Sequence, residues 1–129
     1  MISGTGVDIV EIDRVRDAIE RWGEGFLTRI FTTREIHYSK SRRFSYQHFA
    51  ARFAAKEAVI KAFGEPQKHP LQWTDIEVLN DREGRPTIQF HNDALKVKKK
   101  KKIRDVIVSM SHSKEYAIAN VILLRKGRA

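Results

Sequence analysis

Residues 52–64 read Arg-Phe-Ala-Ala-Lys-Glu-Ala-Val-Ile-Lys-Ala-Phe-Gly. At ~100° per residue, Ala50, Ala54, Glu57 and Lys61 share one stripe of a helix. Phe49, Phe53, Ile60 and Phe63 share an adjoining apolar face. A long helix is therefore expected over residues 44–63, with Gly64 as its stop. On it an acid and a base stand one turn apart on a strip of alanines, where small side chains would let another molecule come close. Glu four residues before Lys is also the favourable order for a plain helix-surface pair, which stabilises by ~0.2–0.5 kcal/mol.

Upstream, residues 2–10 read Ile-Ser-Gly-Thr-Gly-Val-Asp-Ile-Val and suit a strand weakened by two glycines. Period-two alternation puts Gly4, Gly6 and Asp8 on one face. Glycine there is expected to leave open space beside the carboxylate. Aspartate is a poor strand residue, and an unpaired buried carboxylate is expensive. Asp8 thus pairs with an arginine, caps the next helix, or binds a hard cation such as Mg²⁺, which prefers oxygen and keeps several waters. Asp8 and Glu57 together with Lys61 are the beginnings of a metal site that handles phosphate.

The remaining elements follow from the same periodicities. Ile12, Val15, Ile19 and Trp22 make the stripe of a helix over 11–22, stopped by Gly23. Thr32 or Thr33 caps a short helix through Arg34-Glu35-Ile36. Residues 65–72, with Pro66 and Pro70, form a loop. Strands Asp75–Leu79 and Thr87–Phe90 flank the turn chemistry of Asn80–Gly84. Asn92 is placed to cap a basic helix running to about Lys102. Val106–Met110 and Tyr116–Leu124 close the chain as a hairpin whose turn holds Ser111, His112, Ser113 and Lys114. The order β-α-α-α-β-β-α-β-β indicates an α+β fold, an antiparallel-rich sheet packed by one long helix and shorter ones. Residues 1–129 are expected to form one compact domain.

Composition narrows the function. The chain of 129 residues has 25 basic and 16 acidic residues, a formal charge of +9, which favours anionic partners. It has no cysteine, so it has no disulfide framework and no thiolate zinc site. The N-terminus lacks a signal-peptide pattern, and no apolar run approaches the ~20 residues of a membrane span, so a cytoplasmic protein is expected. No P-loop, G-x-G-x-x-G or G-x-S-x-G is present, and the five histidines lack zinc spacing. His112 with its serines and Lys114 could cradle a phosphate, or be an ordinary polar turn. The run Lys98–Lys102 wraps all round a helix, which makes it a solvated surface with weak polyanion affinity at most. Arg14, Arg16 and Arg21 face outward and could dock an acidic partner helix, although Asp13, Asp17 and Glu20 lie among them. Read from residues alone, the chain is a basic α+β domain with a candidate two-carboxylate metal site, open to readings as a nucleic-acid-binding module or a Mg²⁺-dependent phosphohydrolase. No nucleic-acid motif favours the first.

Three segments go further: Gly6-Val-Asp-Ile-Val-Glu-Ile-Asp-Arg-Val15, Arg52–Gly64, and Val108-Ser-Met-Ser-His-Ser-Lys-Glu-Tyr-Ala-Ile-Ala119. In this order and in so short a chain they closely resemble the holo-acyl-carrier-protein synthase family, the small single-domain class of 4′-phosphopantetheinyl transferases. Trp73-Thr-Asp-Ile-Glu-Val and Gly84-Arg-Pro86 match as well. The resemblance implies transfer of phosphopantetheine from coenzyme A to a serine of apo acyl carrier protein, in support of fatty acid biosynthesis. Adenosine 3′,5′-bisphosphate would be released. It also implies Mg²⁺ and a homotrimer with coenzyme A in clefts between subunits. Asp8 and Glu57 match the metal ligands, with Glu57 also as base and Lys61 as leaving-group partner. Arg52, Lys56, His112 and Ser113 match positions around the nucleotide phosphates, and Gly64 and Pro86 positions near the adenosine. Arg14 and Arg21 match the helix that docks the carrier protein. The loop Glu65–Pro70 departs from the family's glycine-rich connection, and the lysine run is heavier than usual.

Overall fold

The structure is a computed structural model that describes residues 1–64 and 71–127. Strand β1 (Ile2–Glu11) leads into helices α1 (Ile12–Trp22), α2 (Glu24–Ile30), α3 (Thr33–Lys40) and α4 (Ser45–Phe63). A 3-10 turn (Trp73–Asp75) precedes the hairpin β2 (Ile76–Asn80) and β3 (Pro86–Phe90). Helix α5 (Asn92–Lys100) and the hairpin β4 (Ile103–His112) and β5 (Tyr116–Arg125) complete the chain. β5 lies between β1 and β4 in an antiparallel three-stranded sheet, and β2–β3 form a separate two-stranded one. The α+β class and the antiparallel pairing agree with the sequence.

Helix α4 lies across one face of the larger sheet and belongs to both hydrophobic cores. Ala50, Ala51, Ala54, Ala55, Ala58 and Ala62 are all buried. The alanine strip does admit a close neighbour, but that neighbour is the chain's own β1. A Cβ on Gly4 would lie 2.0 Å from the carbonyl oxygen of Ala62, and one on Gly6 2.0 Å from that of Ala58. The glycines therefore leave no open space beside Asp8. They let the strand press directly onto the helix backbone. Gly6→Ala should overpack this contact and lower stability by about 3 kcal/mol, since neither backbone can yield. Thermal denaturation checks this, and an unchanged melting point would show that the two backbones can part.

Several expectations are corrected. Four helices, not three, separate β1 from β2. Gly23, at φ 57°, stops α1 as expected, but the chain restarts at once, and α2 buries Leu27 and Ile30. Gly25 in its first turn disguises the periodicity. Asn92 does not cap α5. His91 occupies that position, and Asn92, at φ 50°, turns its Nδ2 to Asp75 Oδ1 at 3.2 Å. Helix α5 ends at Lys100, so the lysine run straddles a helix end. Strand β4 reaches His112, which removes Ser111 and His112 from the turn. Of the expected loop 65–72, residues 65–70 lie outside the described residues, as does the family departure noted there.

Thr32 is the cap of α3, in a reciprocal capping box with Glu35. Its hydroxyl also donates to Glu77 of β2, which further accepts from Arg34 and contacts His91 at 2.9 Å. Burial alone would push Glu77 up, but hydrogen bonds from Arg34, Thr32 and His91 outweigh it and hold the carboxyl at about 2. A carboxylate depressed in the folded state stabilises fully above its unfolded value of 4.5 and loses that contribution as pH falls towards 2. The stability gap between the native chain and Glu77→Gln should therefore close over this window. Acid titration of the two melting points measures it.

Candidate active site

Three side chains converge where β1 crosses the C-terminal half of α4. Asp8 stands opposite Ala119 in the β1–β5 register and its side chain is 16% exposed. Lys61 Nζ lies 2.9 Å from Asp8 Oδ1 and donates to Val7 O at 3.2 Å. Glu57 is half-buried one turn before Lys61. Burial, then the negative charge of Asp8, push the Glu57 carboxyl up, and Lys61 opposes them. The Lys61 ammonium is held above its ordinary value, first by its hydrogen bond to Asp8 and then by the charge of Asp8. Two carboxylates and one ammonium leave the cluster one negative charge in excess.

The donor set fits a hard divalent cation. Asp8 and Glu57 repel each other strongly enough to disturb Glu57, and Lys61 already marks the point that attracts positive charge. Two carboxylates suit Mg²⁺, which takes the rest of its shell from water and substrate phosphate. Among the described residues no group of three or more His, Cys, Asp or Glu side chains could hold a metal by itself. Any such ion would therefore be shared with the substrate.

A second feature lies on the other side of α4. Arg52 and Glu57, five residues apart, point ~140° from each other around the helix. Arg52 borders a cavity of about 450 Å³ lined also by Arg34, Tyr38, Arg42, Arg82 and Gly84. Its guanidinium is buried, bonded to Asn80 Oδ1 and stacked 4.2 Å from the Tyr38 ring centre, and Nε has no partner. Arg42 lies 4.5 Å from the same ring centre. His48 completes the cluster: burial, then the charges of Arg52, Arg42 and His112, press its pKa down. The cluster thus concentrates positive charge, with Asp81 as the acid that also borders the cavity. Sequence reading missed Tyr38, Arg42 and His48. The pair Arg42-Arg43 just before α4 was the available signal.

The other expected residues divide. His112 is exposed at the end of β4 and within electrostatic reach of His48. Ser113 accepts the N–H groups of Glu115 and Tyr116 at 3.3 and 3.1 Å, so it shapes the turn. Gly64, at φ 87°, is the exposed stop of α4, and Pro86 opens β3 opposite Asn80 beside the cavity. Lys56 departs from expectation. It is fully buried and spends its ammonium on Glu35 Oε1 at 2.8 Å and on the carbonyls of Trp73 and Ile76. With all three donors committed, it has none to offer a phosphate. On α1, Arg16 is held by Asp13 and Asp17. Arg14 and Arg21 are exposed and make no ion pair among the described residues, although Arg21 lies over the ring of Trp22.

Comparison with known proteins adds the following. The family model of the 4′-phosphopantetheinyl transferase superfamily matches residues 4–121. A holo-acyl-carrier-protein synthase of Koribacter versatilis is 46% identical over 123 residues, which cover 95% of this chain and 98% of that protein. The crystal structure of the holo-acyl-carrier-protein synthase from Neisseria meningitidis has a TM-score of 0.88 at 30% identity, covering 97% of this chain and 100% of that one. The Bacillus anthracis enzyme in complex with CoA (3′,5′-ADP) has a TM-score of 0.78 at 34% identity, covering 98% and 99%.

Proposed function

The chain belongs to the 4′-phosphopantetheinyl transferase superfamily, and from that premise we infer that it acts as a holo-acyl-carrier-protein synthase. It transfers the 4′-phosphopantetheine group from coenzyme A to a serine hydroxyl of apo acyl carrier protein and releases adenosine 3′,5′-bisphosphate. The observation that carries the site assignment is the Asp8–Glu57–Lys61 cluster, two carboxylates and a lysine with a disturbed balance of charge.

In the proposed mechanism Asp8 and Glu57 would hold Mg²⁺, with coenzyme A as the substrate. When bound, the ion supplies positive charge to the phosphate under attack and to the departing one. Glu57, whose carboxyl is pushed up first by burial and then by Asp8, takes the proton from the serine hydroxyl. The serine oxygen forms a bond to the pantetheine-side phosphorus as the bridging P–O bond breaks. The electron pair leaves on the phosphate of adenosine 3′,5′-bisphosphate, where the Lys61 ammonium neutralises it. The cavity beside Arg52, lined also by Arg42 and Gly84 and next to Pro86, is proposed to take the nucleotide end, with His48 and His112 adding positive potential. Gly64, one turn from the metal cluster, is placed with the adenosine, and Ser113 orders the turn beside His112. Lys56 acts on this site only by fixing the roll of α4. Arg14 and Arg21 dock the acidic carrier protein, whose approach is then sensitive to salt. Residues 1–129 are taken as one transferase domain, working in the cytoplasm.

The homotrimer is part of the same proposal. On a single chain the carboxylate cluster and the basic cavity lie on different sides of α4, so neighbouring copies would be needed to bring them onto one ligand. The outer face of the three-stranded sheet is apolar and exposed at Val7, Ile9, Ile107, Tyr116 and Ile118. Such a patch marks an interaction surface. Ile118→Asp should convert a trimer to smaller species by light scattering and remove most activity. A fully active monomeric native protein would refute this part. To test the reaction, adenosine 3′,5′-bisphosphate is measured with and without apo carrier protein. Release only with the carrier supports transfer, and equal release without it would show hydrolysis.

A further inference from the structure

A second basic site lies at the far end of the sheet. Ile103 of β4 pairs there with Arg125 of β5, whose N–H donates to Met1 O. Asp8 lies opposite Ala119, six residues back along β5 and about 20 Å away at strand rise. A concavity of about 280 Å³ is lined by Leu95, Lys98, Lys99, Lys102, Ile103, Arg104 and Lys126.

Three separate stretches supply these cations: the end of α5 and its turn, the start of β4, and the residue after β5. The backbone fixes their convergence. Lys102 has φ 56°, its N–H donates to Lys99 O, and its carbonyl accepts the N–H of Lys126. The turn therefore sets Lys102 against Lys98 and Lys99 and ties Lys126 to the same rim. Lys100 and Lys101 do not line the groove. The run of five lysines is thus sorted by the helix end into a converging set and a solvated remainder. Of the nearby acids, Asp93 is engaged outside the groove with Lys96 at 3.5 Å, and Asp105 pairs with Arg104 of the rim at 2.8 Å, which leaves the four lysines as the groove's uncompensated cations among the described residues. Lys98, Lys99, Lys102 and Lys126 make no ion pair among the described residues. A cleft lined by one sign of charge focuses the field and concentrates counter-ions.

We propose that this groove binds a compact polyphosphate, two or three linked phosphate groups, either free or as the tail of a nucleotide. Its volume lies just below that of most ligand pockets, which run from ~300 Å³ upward, and suits one compact multivalent anion. Lysine ammoniums bind phosphate as point charges without demanding a planar partner. Among the described residues no aromatic side chain lines the groove, so it offers no platform for base stacking and does not favour single-stranded nucleic acid. The site is independent of the transferase reading and uses none of its residues.

Amide NMR of the full chain, titrated with inorganic triphosphate at low salt without divalent metal, tests it. Saturating shifts are expected at Leu95, Ile103 and Lys126, along with their loss on raising the salt. The triple variant K98Q/K102Q/K126Q should bind at least 10-fold more weakly while keeping its melting point and transferase rate, because these side chains are partly or fully exposed. ATP binding no more tightly than triphosphate would identify the phosphate chain alone as the ligand. ATP binding at least 10-fold more tightly would identify a nucleotide. Shifts confined to the Arg42–Arg52 cavity, or equal binding by the triple variant, would overturn the proposal.

Discussion

Glu57→Gln should lower transferase turnover by about 10³-fold or more while leaving the fold and its melting point nearly unchanged. Glutamine keeps the size of the side chain but loses the negative charge and the proton-accepting oxygen, and general-base loss alone costs ~10²–10⁴. The side chain is half-buried and makes no hydrogen bond among the described residues, so the fold does not depend on it. Removing its charge should also relieve Asp8, which remains paired with Lys61 at 2.9 Å. Mg²⁺ affinity in the presence of coenzyme A should fall together with turnover. Steady-state kinetics and metal titration check both, and a variant retaining more than a tenth of native turnover would remove Glu57 from the chemistry.

Lys56→Ala should lower stability by about 3–5 kcal/mol, the cost of leaving a buried charge without its partner. For a chain of this size that is roughly 10–20 °C in melting temperature. The argument rests on a closed network. Lys56 and Glu35 are both fully buried, and Glu35 also accepts the backbone N–H groups of Thr32 and Val78. Burial lowers the Lys56 ammonium, and Glu35 works against that fall. A pair replaced together by apolar residues often costs little. Here the double variant Glu35→Leu with Lys56→Met should stay destabilised, because the carbonyls of Trp73 and Ile76 and the N–H of Val78 lose their partners. Urea denaturation of the single and double variants measures this, and native stability in Lys56→Ala would show that the network is not needed.

The two cases mark how far the sequence could be read. Helix α4 was legible because its long run of helix-forming residues has no break before Gly64 ends it. The alternation of β1 correctly put Gly4, Gly6 and Asp8 on one face. It could not say that the same face meets α4, since an open strand face and one pressed against a helix have the same alternation. Lysine is by default an exposed residue. The partners that bury Lys56 lie 21, 17 and 20 residues away, so its role appears only when α3, α4 and the turn before β2 are packed together. Helix α2 was hidden by two glycines in its first residues and the one before. The basic cavity was half legible, through Arg52 and Pro86. Tyr38 belongs to α3 and Arg42 to the turn after it, and His48, although one turn before Arg52 on α4, meets them only in the fold. The likeness of three short segments to one family filled much of this gap, because such segments record tertiary neighbours that periodicity cannot.

The central claim is that Asp8, Glu57 and Lys61 move phosphopantetheine onto a carrier protein. Intact-mass spectrometry of apo acyl carrier protein, incubated with this protein, coenzyme A and Mg²⁺, tests it most directly. The carrier should gain one phosphopantetheine, and the gain should vanish with chelator or in Glu57→Gln. No gain by apo carriers in the presence of folded protein, or an equal gain in Glu57→Gln with metal chelated, would contradict it.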